Sequence, residues 1–174
     1  MIEKEFPVFA FEEMRRFGVS MQERKNDIEP LEVFLDKYKI ERKPKSSVFN
    51  VFVEKSMQQW RRGGNSFYQV VLYKNYILLE FLIEYNENYD IDEICFKIEN
   101  CNKLFIEEGD EGLKNFYKKV LASVKSKKYS VFLEKYRTHY DLNFIDLIRK
   151  SKNPIQVEKT DQENTLKITY KIDL

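Results

Sequence analysis

Between Phe67 and Tyr85 the apolar residues alternate so regularly that the backbone has little choice. In YILLEFLIEY (76–85), Ile77, Leu79, Phe81, Ile83 and Tyr85 fall on one side, and Glu80 and Glu84 on the other. Successive side chains of a strand point to opposite faces, so this pattern describes a strand with one face in a core. FYQVVLY (67–73) precedes it across Lys74-Asn75, a two-residue link in which Asn tolerates positive φ. The two segments are expected to pair as an antiparallel hairpin. A slip of one residue would turn the whole apolar set outward, so the register is strongly specified.

Around the hairpin the period lengthens. Residues 8–17 place Phe9, Phe11, Met14 and Phe17 on one helical face, and Pro30 is expected to open a short helix carrying Leu31, Phe34, Leu35 and Tyr38 inward. ERKPKSS (41–47) reads as a basic connector, because Pro44 disfavours helix at the residue before it. Residues 48–61 suit a helix beginning near Ser47 or a buried strand; we read them as helix, ended by Gly63-Gly64-Asn65. ICFKIE (94–99) and KLFIEE (103–108) are expected as a further strand pair.

Three helices should follow. The first carries Leu113, Phe116, Tyr117, Val120, Leu121 and Val124 behind an Asp110 cap. The second carries Tyr129, Phe132, Leu133, Tyr136 and Tyr140, and the third Leu142, Ile145 and Ile148 behind Asp141. IQVEK (155–159) and LKITYKI (166–172) then form a last hairpin. The fold class expected is α+β: N-terminal helices, a central antiparallel β-meander, three C-terminal helices and a closing β-hairpin. One domain over 1–174 is expected, divisible into a helix-and-meander part (1–108) and a helical part (109–174) whose element order is that of a winged helix.

Charge is sorted into blocks along this framework. Residues 80–111 hold eleven acids against two bases, residues 112–152 eleven bases against three acids, and residues 37–62 eight bases against two acids. The formal net charge of +1 therefore hides a strongly dipolar chain, and local potential steers partners more than net charge does. The abundance of Phe, Tyr, Ile, Asn and Lys, with Ala only at 10 and 122, is what AT-rich codons produce, as in a low-GC bacterium, its phages or its plasmids. The N-terminus carries acids where a signal peptide would carry bases, and no apolar run approaches the ~20 residues that span a bilayer. A cytoplasmic protein with reduced Cys95 and Cys101 and no membrane contact is expected.

Catalytic signatures are sparse. His139 lies beside Asp141, but spacing assigns it no nucleophile, and a helix-end position near the dipole accounts for it. No phosphate-binding glycine loop is present. Glu23-Arg24-Lys25 and Glu41-Arg42-Lys43 have the Glu-x-Lys form used by Mg²⁺-dependent nucleases, the second preceded by Asp27 and Asp36. Neither lies on a clear strand, so a nuclease is the third reading and no metal, cofactor or catalytic set is expected. The leading expectation is a small non-enzymatic binding protein, a phage- or plasmid-type modulator or inhibitor. It would dock on a nucleic-acid-handling host protein or nucleoprotein complex through an acidic patch of Glu80, Glu84, Glu87, Asp90, Asp92 and Glu93. The alternative is direct DNA or RNA binding through Arg61, Arg62, Lys118, Lys119, Arg149, Lys150 and Lys152.

Overall fold

The computed structural model describes residues 9–10, 15–16, 21–62, 66–125 and 131–174; the side chains of 9–10, 15–16, 21–27, 56–62, 131–133 and 135 are not described. Strands β1 (Phe9–Ala10) and β2 (Arg15–Arg16) precede helices α1 (Met21–Lys37) and α2 (Arg42–Arg62). The hairpin β3 (Ser66–Leu72) and β4 (Tyr76–Glu84) follows, then α3 (Ile91–Lys125), α4 (Val131–His139) and α5 (Leu142–Ser151), and finally β5 (Gln156–Lys159) and β6 (Thr165–Asp173). The fold is α+β, with one antiparallel sheet in the order β1-β3-β4-β6-β5 and β2 also paired to β3.

The central hairpin forms in the register the alternation demands. Leu72 lies opposite Ile77, Tyr68 opposite Phe81, and the Tyr73 amide donates to the Tyr76 carbonyl across Lys74-Asn75. Ile77, Leu79, Phe81, Ile83 and Tyr85 are buried, as are Leu166, Ile168, Tyr170 and Ile172 on β6. Leu31, Phe34 and Leu35 of α1, Val48, Val51 and Phe52 of α2, and the inner residues of α3 and α5 close over that face in a single core. Each fully buried aliphatic or aromatic side chain contributes roughly 1.5–3 kcal/mol, so this layer contact dominates stability.

Several expectations are corrected. Residues 9–10 and 15–16 are strands on the β3 edge, not turns of a helix; the remainder of segment 8–17 lies outside the described residues. Helix α1 begins at Met21 and carries Pro30 inside it, although the burial of Leu31, Phe34 and Leu35 follows the expected spacing. The 41–47 stretch is mostly the first turn of α2, where the missing amide of Pro44 has no intrahelical partner to lose. Residues 48–62 are helix, as read; the expected Gly63-Gly64-Asn65 stop lies outside the described residues.

The largest correction is at 94–108, which is helix and not a strand pair. Ile94, Ile98, Cys101 and Leu104 recur at intervals of four, three and three, which is one helical face, and all four are buried. Asp90 starts α3 by accepting from the amides of Asp92 (2.8 Å) and Glu93 (3.2 Å). Gly109, at φ 69° and ψ −170°, bends the helix before the 110–125 segment runs on, with Leu113 and Val120 buried. Asp141 caps α5 as expected, accepting from Asn143 at 2.8 Å. The closing hairpin is also as expected, but β6 pairs with β4 over nine residues and so lies inside the central sheet instead of flanking the helices as a wing. Asn102 ties this edge to α3, donating to the Ile155 carbonyl (2.7 Å) and accepting from its amide (2.8 Å).

Candidate docking site

Most of the charge separated along the sequence meets again in the fold. Glu80, 9% exposed at mid-sheet, pairs with Lys167 of β6 at 2.7 Å and accepts from the Gln69 amide group. Hydrogen bonding to Glu80 raises the pKa of Lys167, which holds the ammonium charged. Asp92 pairs with Lys159, Glu93 with Lys97, and Asp110 with Lys152 at 2.6 Å. Of the six acids expected as a patch, Glu80, Asp92 and Glu93 are thus engaged by lysines and Asp90 serves as a cap.

Glu84 ends β4 and Glu87 lies in the loop after it. Because Glu84 lies opposite Thr165 in the β4–β6 ladder, the β5–β6 turn is carried beside the loop that follows β4, and the Tyr85 amide donates to the Asn164 carbonyl at 2.8 Å. Glu84, Glu87 and Glu163 thereby line one cleft of about 630 Å³ with Asn86, Asn88 and Asn164. A smaller cavity of about 260 Å³ also reaches Asn88 and includes Asp90, Glu93, Lys97 and Asp141. Small-molecule pockets are mainly apolar. Carboxylates and amides around a shallow cleft suit the cationic side chains of a macromolecule better. Glu163 and Asn164 were not foreseen, since only strand pairing brings the far end of the chain to this place.

The basic residues are placed less openly than their sequence density implies. Lys150 pairs with Asp146 (2.7 Å) and Glu54 (3.6 Å); Arg149 pairs with Asp146 (3.5 Å) and lies over the Tyr117 ring at 5.2 Å. Lys118 and Lys119, the two residues after Tyr117, are exposed on the second half of α3. The side chains of Arg61 and Arg62 lie outside the described residues. In the first basic block Lys45 is bound by Asp36 (2.6 Å) and Lys55 is buried with its ammonium 5.7 Å from the Phe144 ring centre.

The remaining candidates for chemistry are dispersed. His139 packs against Phe96 at 5.6 Å, with Thr138 Oγ1 2.7 Å from its Nδ1. Glu41 is exposed at the entry to α2, off the sheet, and Asp36 faces Lys45. Among the described residues no group of three His, Cys, Asp or Glu is placed to hold a metal ion, and no helix is long and apolar enough to cross a membrane.

Cys101 is buried, and burial pushes its thiol up to about 12 even though Sγ lies 3.8 Å from the Asp141 carbonyl. Burial likewise pushes Tyr136 up to about 12, and Cys95 up in direction. Cys101 and Tyr136 are neutral in the fold, so their contribution is complete below the unfolded values and fades as pH climbs toward about 12. Stability should therefore fall across alkaline pH, and Cys101→Ala should flatten that fall in melts between pH 8.5 and 11. In the native protein a disulfide-exchange reagent at pH 8 should modify Cys95 first, with Cys101 reacting only as the protein unfolds.

The architecture defines an α+β protein in which helices cover one face of an antiparallel sheet, with an acidic cleft at the sheet's end. Neither a family model nor a curated protein matches the chain. Its fold is similar to that of a chain in the crystal structure of the SiaB–SiaC complex from Pseudomonas aeruginosa, with TM-score 0.63 and 13% identity over 97% of this chain and 91% of that one. At that identity the likeness is one of fold.

Proposed function

We propose that this protein acts by binding another protein, using the acidic end of its sheet as the docking surface. The observation that carries the reading is the cleft, where Glu84, Glu87 and Glu163 converge with Asn86, Asn88 and Asn164. That the similar fold comes from a complex of two proteins supports it. The partner that suits a carboxylate-lined cleft has a basic groove, as nucleic-acid-handling proteins and nucleoprotein complexes do. A phage- or plasmid-type inhibitor of such a host protein is the specific form of the proposal, and it requires no cofactor and no catalysis. Its test is affinity capture with the wild-type chain and Glu84→Lys/Glu87→Lys/Glu163→Lys side by side. A basic protein retained by the first and lost by the second is expected. Retention unaffected by the reversal would remove the cleft from the account.

Direct nucleic-acid binding is the competing reading, favoured by the exposed pair Lys118 and Lys119. Since each neutralised phosphate releases counterion, such binding is strongest at low salt, and a DNA or RNA affinity at ~50 mM salt that is lost in Lys118→Glu/Lys119→Glu would establish it.

A further inference from the structure

The outward side of α3 carries a feature that the cleft does not explain. Asp92, Phe96, Glu99, Lys103 and Ile106 recur at intervals of four and three, opposite the buried line of Ile94, Ile98, Cys101 and Leu104. This is the spacing of a helix-pairing seam, and from Asp92 to Ile106 it runs roughly 21 Å at 1.5 Å per residue. Ile106, 72% exposed, is the most exposed large apolar side chain among the described residues, and Phe96 is 45% exposed beside His139. A single exposed apolar side chain is ordinary on a protein surface. Two on one seam, about 15 Å apart on a straight helical stretch, form a pair of anchors.

The charge around them selects the partner. Residues 91–111 hold seven acids (Asp92, Glu93, Glu99, Glu107, Glu108, Asp110 and Glu111) against Lys97 and Lys103. Asp92, Glu93, Asp110 and Glu111 are paired with Lys159, Lys97, Lys152 and Lys114, so the charge offered to a partner rests chiefly on Glu99 and Glu108. Lys103 lies 3.8 Å from Glu107, a long contact between two exposed groups that adds little. Glu99 and Glu108 are exposed on the same stretch. An acidic helix face with spaced apolar anchors complements a helix bearing apolar residues at the same spacing and cations beside them.

We propose that the outer face of α3 between Asp92 and Ile106 receives an amphipathic, lysine- or arginine-rich helix of the partner protein. The proposal rests on the protein-binding reading and extends it from the cleft to the adjoining helix. Phe96 and Ile106 insert between apolar side chains of the incoming helix, Glu99 meets one of its cations, and Lys103 requires an acid or a gap opposite it.

The probe is a Leu/Lys peptide of about three heptads with leucine at the seam positions, compared with a scrambled peptide of identical composition. At ~0.15 M salt, where surface charge is screened beyond about 8 Å, the amphipathic peptide should bind roughly tenfold more tightly than the scrambled one. Its amide NMR shifts should concentrate at 92–106. Ile106→Ser should weaken binding severalfold with an unchanged thermal melt, because that side chain is 72% exposed. Adding Phe96→Ser should bring the loss to roughly tenfold, with a melt lowered only by the lost Phe96–His139 contact. Equal binding of the scrambled peptide, shifts centred on Lys118 and Lys119, or full binding by the double serine variant would each overturn the proposal. The capture experiment separates the two levels. A protein retained by the serine variant but lost on cleft reversal would refute helix docking and leave the protein-binding reading standing. No protein retained by the wild type would refute both.

Discussion

Phe81→Asp should leave no cooperative thermal transition. Phe81 is fully buried at the middle of β4, 5.7 Å from Tyr170 in an edge-to-face contact and 6.4 Å from Phe52. Removing a buried phenyl ring costs about 3–5 kcal/mol, and an ionised carboxyl in its place adds several more unless it takes up a proton. A domain of this size has a stability of only about 5–15 kcal/mol, so this one substitution consumes most of it. Leu82→Asp is the control, because Leu82 points to the opposite, half-exposed face and should cost about 1 kcal/mol. If the two variants melt alike, the register of β4 is not the one described.

Gly109→Val should lower the melting temperature by about 5–10 °C, corresponding to 2–3 kcal/mol in a chain of this length. At φ 69° and ψ −170° the residue sits in a region reserved almost wholly for glycine, where any Cβ strains the backbone. No atom from elsewhere in the fold lies within 4 Å of where that Cβ would stand, so the cost is local backbone strain and not a clash with a packed neighbour. Glu111→Ala, close by on the same exposed stretch, should stay within about 0.5 kcal/mol of wild type. A valine variant as stable as the wild type would mean that the bend in α3 is not held by this dihedral angle.

Legibility in the sequence depended on how local the determining forces were. The β3–β4 hairpin, the Asp141 cap and the closing hairpin were readable because alternation or one side-chain oxygen decides each of them within a few residues. The 94–108 segment was misread because short apolar runs look strand-like by themselves; the helical face appears only when Ile94, Ile98, Cys101 and Leu104 are taken together with the Asp90 cap. Pro30 misled because tertiary burial of Leu31 and Phe34 outweighs its local penalty, and Pro44 because in the first turn of α2 its missing amide has no intrahelical partner to lose. The charge blocks were visible at once, but not which charges would be spent internally. The pairs Glu80–Lys167, Asp92–Lys159 and Asp110–Lys152 join positions far apart in the chain, and only the topology brings them together. The cleft depends on the same long-range pairing through Glu163.

The docking account is tested most directly by hydrogen exchange on the complex that capture yields, compared with the free chain. Slowed exchange is predicted in the 84–90 loop, the 161–164 turn and the 92–106 stretch of α3, with the 114–125 stretch and α5 unchanged. Protection centred on Lys118, Lys119 and α5 instead, with 84–106 exchanging as in the free protein, would contradict it.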